Sequence, residues 1–169
     1  MLFMINQIII NLTIGISLLL AFLIFSNPNK NNINGSKWLG VFVLCFFFLN
    51  IDEFLIYNKI DISCLYINQF YIFSLYFICP VFYLMVSYFV NPTRKWKNID
   101  NLHFVFGIGY FFIYKNIFLF SNNRLVLADV SNNSWLNTAN LVYLNIILPV
   151  QIFSYIGYSF YLIKNHQKN

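Results

Sequence analysis

Residues 78–97 read ICPVFYLMVSYFVNPTRKWK. An apolar run with an internal proline stops at Asn91-Pro92, and within three residues the chain turns basic. Such a boundary fits a helix that leaves a hydrocarbon layer into an aqueous compartment, because a spanning helix needs about 20 apolar residues and its flanks carry the charge. The composition agrees with that reading. Sixty per cent of the 169 residues are apolar, 9% are charged, and mean hydropathy is +0.68. A soluble domain carries about a quarter charged residues. A chain this poor in charge lacks the polar surface to cover a globule in water.

Outward from this stretch, five segments are long enough to cross a bilayer core of about 30 Å at about 1.5 Å per residue. They fall at about 4–26, 38–57, 65–90, 102–120 and 139–163, so the expected fold is an all-α, polytopic membrane bundle forming a single domain over 1–169. The first segment has no Lys or Arg before its apolar run and no small-x-small cleavage pattern after it, so it is expected to remain as an anchor. The run from Asn27-Pro28 to Gly35-Ser36 is rich in turn formers and is expected to be a connector.

The cations then set an orientation. Lys30, Lys37, Arg94, Lys95, Lys97, Lys164 and Lys168 fall on one side of five crossings, against Lys59, Lys115 and Arg124 on the other. Positive residues favour the cytoplasmic side, which predicts an outside N-terminus and a cytoplasmic C-terminus. Trp38 and Trp96 border the inner face, while Trp135, Tyr66 and Tyr143 suit the outer one. The net charge of +5 is spread between apolar runs rather than gathered on one face, which argues against nucleic-acid binding by this chain.

No catalytic constellation, cofactor site or metal-ligand spacing stands out, and the chain is not expected to be an enzyme. His103 and His166 lack partners at ligand spacing, and Cys45, Cys64 and Cys79 fit neither a metal knuckle nor a disulfide framework. The polar residues inside spans are the candidate ligand contacts. Asn50 and Glu53 share a helix face in the outer third of the second span, with Asp52 pointing elsewhere. They make either an outward-facing ligand site or a wetted interface paired with Lys59 or Lys115. Pro80 removes the amide that would bond the Tyr76 carbonyl, and Pro149 does the same to Asn145. Kinks there either open carbonyls to a cavity beside Asn145 and Gln151 or are repaired by neighbouring groups. Gly107-Ile108-Gly109 is too short for a nucleotide fingerprint and reads as a close-packing site.

The stretches NGSKWLGVFVLCFFFLNIDEFLIY (34–57), CPVFYLMVSYFVNP (79–92) and NLHF (101–104) together resemble bacterial membrane-tethered AraC-type transcription regulators. In that family the third span carries a proline, two apolar residues and Tyr, like Pro80-Val81-Phe82-Tyr83. A basic loop then leads to His-Phe, like His103-Phe104. The resemblance implies an inner-membrane sensory bundle, usually of seven spans, followed by a cytoplasmic helix-turn-helix domain. This chain departs from the pattern in having Phe106 where a proline is usual, and in ending after five spans without a helix-turn-helix. It is therefore expected to be the front of a longer reading frame or a truncated relative. Its expected partners are the lipid bilayer, further transmembrane helices or a second copy, and a signal whose identity the sequence does not give. The other reading is a small scaffold or transport-associated membrane subunit.

Overall fold

The computed structural model describes residues 2–29, 31–58, 66–110, 138 and 141–167, without the side chains of 2–4, 52, 56, 57, 66–70 and 72. Four long elements dominate: α1 (Leu2–Ser26), α2 (Ile33–Tyr57), α3 (Tyr66–Val90) and α4 (Leu148–His166). A 3-10 helix at Asn98–Phe104 runs on as α-helix over 105–110, and a π turn at Tyr143–Ile147 leads into α4. No strand occurs among the described residues. Four stretches are long and apolar enough to cross a membrane: Ile5–Ser26, Ile33–Ile51, Phe73–Val90 and Tyr143–His166. Of the expected fourth span, only the opening lies within the described residues.

α2 begins at Ile33, inside the stretch expected to be a connector. The reason is local. The Asn32 side-chain oxygen accepts the Gly35 backbone N–H at 2.9 Å, an N-cap that satisfies one of the helix's orphan donors. A Cβ at residue 35 would lie 2.7 Å from that side chain, so the glycine makes room for the cap. The other half of the Asn32 amide donates to the Tyr88 carbonyl at 2.8 Å. That carbonyl belongs to the last turn of α3, where acceptors lack intrahelical partners. One asparagine thus joins the start of α2 to the end of α3.

α3 is the hub. Over its apolar window 56% of residues are buried, against 11–22% for the other three. α2 and α3 run antiparallel, with Phe42 against Phe82 at 5.5 Å between ring centres and Trp38 stacked on Trp96 at 5.6 Å. α1 and α2 are also antiparallel. At their far end the Gln7 amide donates to Asn58, and Asn58 donates to Asn11. α4 instead runs parallel to α3: Gln151 meets Tyr76, and further along both helices Tyr155 and Tyr158 meet Tyr83. The start of α2, the end of α3, the 3-10 helix and the end of α4 therefore share one end of the bundle.

Candidate functional site

Pro80 lies within α3, which continues as helix through it. The Tyr76 carbonyl that the proline leaves without its usual donor accepts the Gln151 side-chain N–H at 2.9 Å. The helix is thus repaired from α4, across an interface that is otherwise largely aromatic. Other polar atoms along the same interface are not satisfied: the second amide atom of Gln151, the Tyr76 hydroxyl and the Ser159 hydroxyl are buried without a hydrogen-bond partner among the described residues. Burying an unpaired polar group costs about 1–3 kcal/mol, so this seam is less settled than an apolar one. Around it, Tyr76, Tyr110 and Tyr143 form a cluster with ring centres 4.6–6.1 Å apart.

Pro149 has a different consequence. It stands in the first turn of α4, where its missing N–H is tolerated, and the helix before it widens into the π turn. The Leu148 N–H reaches back to the Tyr143 carbonyl. Asn145 lies in this turn and is exposed.

At the shared end of the bundle, Arg94 and Asp100 form an ion pair whose side chains are 15% and 1% exposed. The Arg94 guanidinium also donates to the Ser87 hydroxyl at 2.6 Å and lies 5.8 Å and 5.5 Å from the Tyr83 and Tyr88 ring centres. Asp100 accepts the Lys97 backbone N–H at 2.9 Å, as an acid at the third position of a helix often does. Every strong partner this pair needs is therefore present. Asp100 is buried and Arg94 part-buried, so losing the arginine would strand a buried carboxylate.

Between these two regions sits His103. Its Nδ1 lies 2.8 Å from the Tyr155 hydroxyl, and its ring meets Tyr83 edge-on at 4.9 Å. Phe104 packs on Phe77 at 5.1 Å and stacks with Trp38 and Trp96 at 6.2 and 6.5 Å. His103 and Phe104 thus reach α3 at two different rings, Tyr83 and Phe77.

The candidate ligand residues do not come together. Gln151 is buried against α3. Asn50 donates to the Phe46 carbonyl of its own helix at 2.7 Å, and Glu53 is exposed. The side chain of Asp52, with Lys30, Lys59, Lys115, Arg124, Trp135, Cys64 and Lys168, lies outside the described residues. Of the basic cluster, Lys37, Lys95, Lys97 and Lys164 are exposed, whereas Arg94 is committed to its internal partners. Sequence reasoning missed Asp100, Tyr155 and Asn32; Lys97 is not a capping residue type, so nothing local marked Asp100. Among the described residues, no group of His, Cys, Asp and Glu is arranged to hold a metal ion. No protein-family model matches the chain, and neither does any curated protein or solved structure.

Proposed function

We propose that the chain is an integral membrane sensory module, similar to the N-terminal part of membrane-tethered AraC-type regulators. The observation that carries this reading is the polar seam between α3 and α4. The Gln151–Tyr76 bond lies within the bundle, the Tyr155–His103 contact lies toward the basic end, and both are made by one face of α4. A signal acts only by binding one arrangement of helices better than another. Both contacts are made by α4, so sliding or turning that helix changes them together, and the unpaired polar atoms beside them lower the cost of doing so.

Topology supports the same reading. If parallel α3 and α4 both cross the bilayer, the chain between them must cross it an odd number of times, which supports a fifth span near 102–120. With the basic end in the cytoplasm of a bacterial inner membrane, α4 delivers the following chain there. Two further spans would return a helix-turn-helix domain to the same side.

The test uses the chain with whatever its coding DNA encodes beyond residue 169. Unrelated sequence there would favour the scaffold or transport subunit, whereas two apolar spans and a basic helix-turn-helix would favour the sensory module. With that helix-turn-helix in place, Gln151→Leu and Tyr155→Phe should each alter reporter transcription several-fold at unchanged membrane abundance. Unaltered transcription in both variants would sink the seam as the transmitting element. A fixed membrane partner copurifying with no transcriptional effect would favour the scaffold or transport subunit instead.

A further inference from the structure

The basic stretch after α3 looks uniform in sequence, but the fold divides it. Arg94 is turned inward to Asp100, Ser87 and two tyrosine rings, while Lys95 and Lys97 stay exposed. Asp100 is the only acid between residues 62 and 128, and its carboxylate is already held by Arg94 and the Lys97 backbone. The Trp38–Trp96 stack, at 5.6 Å and 10° between planes, then brings the exposed Lys37 of α2 to the same end as Lys95 and Lys97. Three exposed cations, one on α2 and two on the segment after α3, therefore neighbour the two stacked indoles in sequence.

The same short segment also exposes apolar side chains. Trp96 is 41% exposed, Ile99 62% and Leu102 61%. Exposed apolar residues on a 3-10 helix beside lysines are what an element lying in the headgroup layer needs, its apolar face down and its ammonium groups level with the phosphates.

The geometry points to a binding site for anionic phospholipid headgroups, made by Lys37, Lys95 and Lys97 around the Trp38–Trp96 stack and seated by Ile99 and Leu102. A soluble phosphate ester would use the lysines and leave the apolar face idle, so the ligand is the lipid. The inference requires the chain to sit in a membrane, but neither its orientation nor a sensory role.

The experiment is lipid-selective quenching of the full chain in bilayers. A Trp135→Phe background leaves Trp38 and Trp96 as the fluorophores. Brominated phosphatidylglycerol is titrated against brominated phosphatidylcholine, with sn-glycerol 3-phosphate as the soluble arm. A lysine near an anionic surface contributes about fivefold in affinity. Phosphatidylglycerol, the anionic lipid, should therefore be preferred by at least about fivefold, and each of Lys37→Gln, Lys95→Gln and Lys97→Gln should cut the preference. At about 1 M salt, where the screening length is about 3 Å, the preference should largely disappear. Equal quenching by both lipids would overturn the proposal even if every variant failed to fold, because that comparison needs none of them. Full preference in folded lysine variants would overturn it too, as would displacement of the brominated lipid by glycerol phosphate.

Discussion

At the scale of single residues, the seam depends on a trade between Pro80 and Gln151. The proline takes a donor from the Tyr76 carbonyl, and the glutamine returns one from another helix. The two substitutions should therefore not be additive. Gln151→Leu alone removes one interhelical hydrogen bond and is expected to cost roughly 0.6–1 kcal/mol. In a Pro80→Ala background the restored backbone N–H at that position serves the Tyr76 carbonyl, and the same substitution should cost close to nothing. Thermal melting of the four proteins in one detergent measures the difference. Equal costs in both backgrounds would mean that Gln151 does not act as the replacement donor. The freed carbonyl was legible in the sequence because a proline's loss falls four residues upstream. Its partner was not: Gln151 stood out only as a polar residue beside Pro149, and no local pattern links it to a carbonyl 75 residues away. Arg94 shows the same limit, since beside Lys95 and Lys97 it reads as one more loop cation until Asp100 folds back on it.

At the scale of elements, α3 is central because it is the most buried of the four long helices, packed by α2, α4 and the 3-10 helix, and the segment after the 3-10 helix reaches it through a glycine. A Cβ on Gly107 would run into the Phe77 ring and lie 3.3 Å from the Tyr76 Cβ. Gly107→Val should therefore force the two segments apart at about 1–3 kcal/mol, the usual cost of overpacking. Gly15, with nothing within 4 Å of an added Cβ, is the matched control. A clear fall in melting temperature for Gly107→Val, with little change for Gly15→Val, is the expected result. Equal melting of both would show that the close approach at Gly107 is not needed. The long apolar helices were legible because composition and length suffice for them. The early start of α2 was not, since Asn, Gly and Ser are turn formers in isolation and become helix only when Asn32 caps them and grips α3. The π turn before Pro149 was not legible either: the missing amide is a sequence fact, but the widening that accommodates it is a property of the fold.

At the scale of the whole molecule, the direction of α4 carries most of the consequence. Two parallel helices that both cross a bilayer place their C-terminal ends on one side, so Lys97, just beyond α3, and Lys164, in the last turn of α4, should face the same compartment. Asn58, at the opposite end of α2, should face the other. Every exposed cation described at the shared end then adds to the positive-inside bias, which favours the cytoplasm for that side. The check is labelling with a membrane-impermeant maleimide in spheroplasts, using single cysteines at these three positions after replacing Cys45, Cys64 and Cys79. Asn58→Cys should label in intact spheroplasts, and Lys97→Cys and Lys164→Cys only after permeabilisation. Lys97→Cys and Lys164→Cys on opposite sides would break the parallel arrangement and with it the fifth crossing. Both labelling from outside would keep five crossings and reverse the orientation, taking the chain that follows α4 out of the cytoplasm and removing the route by which this bundle could speak to a DNA-reading domain.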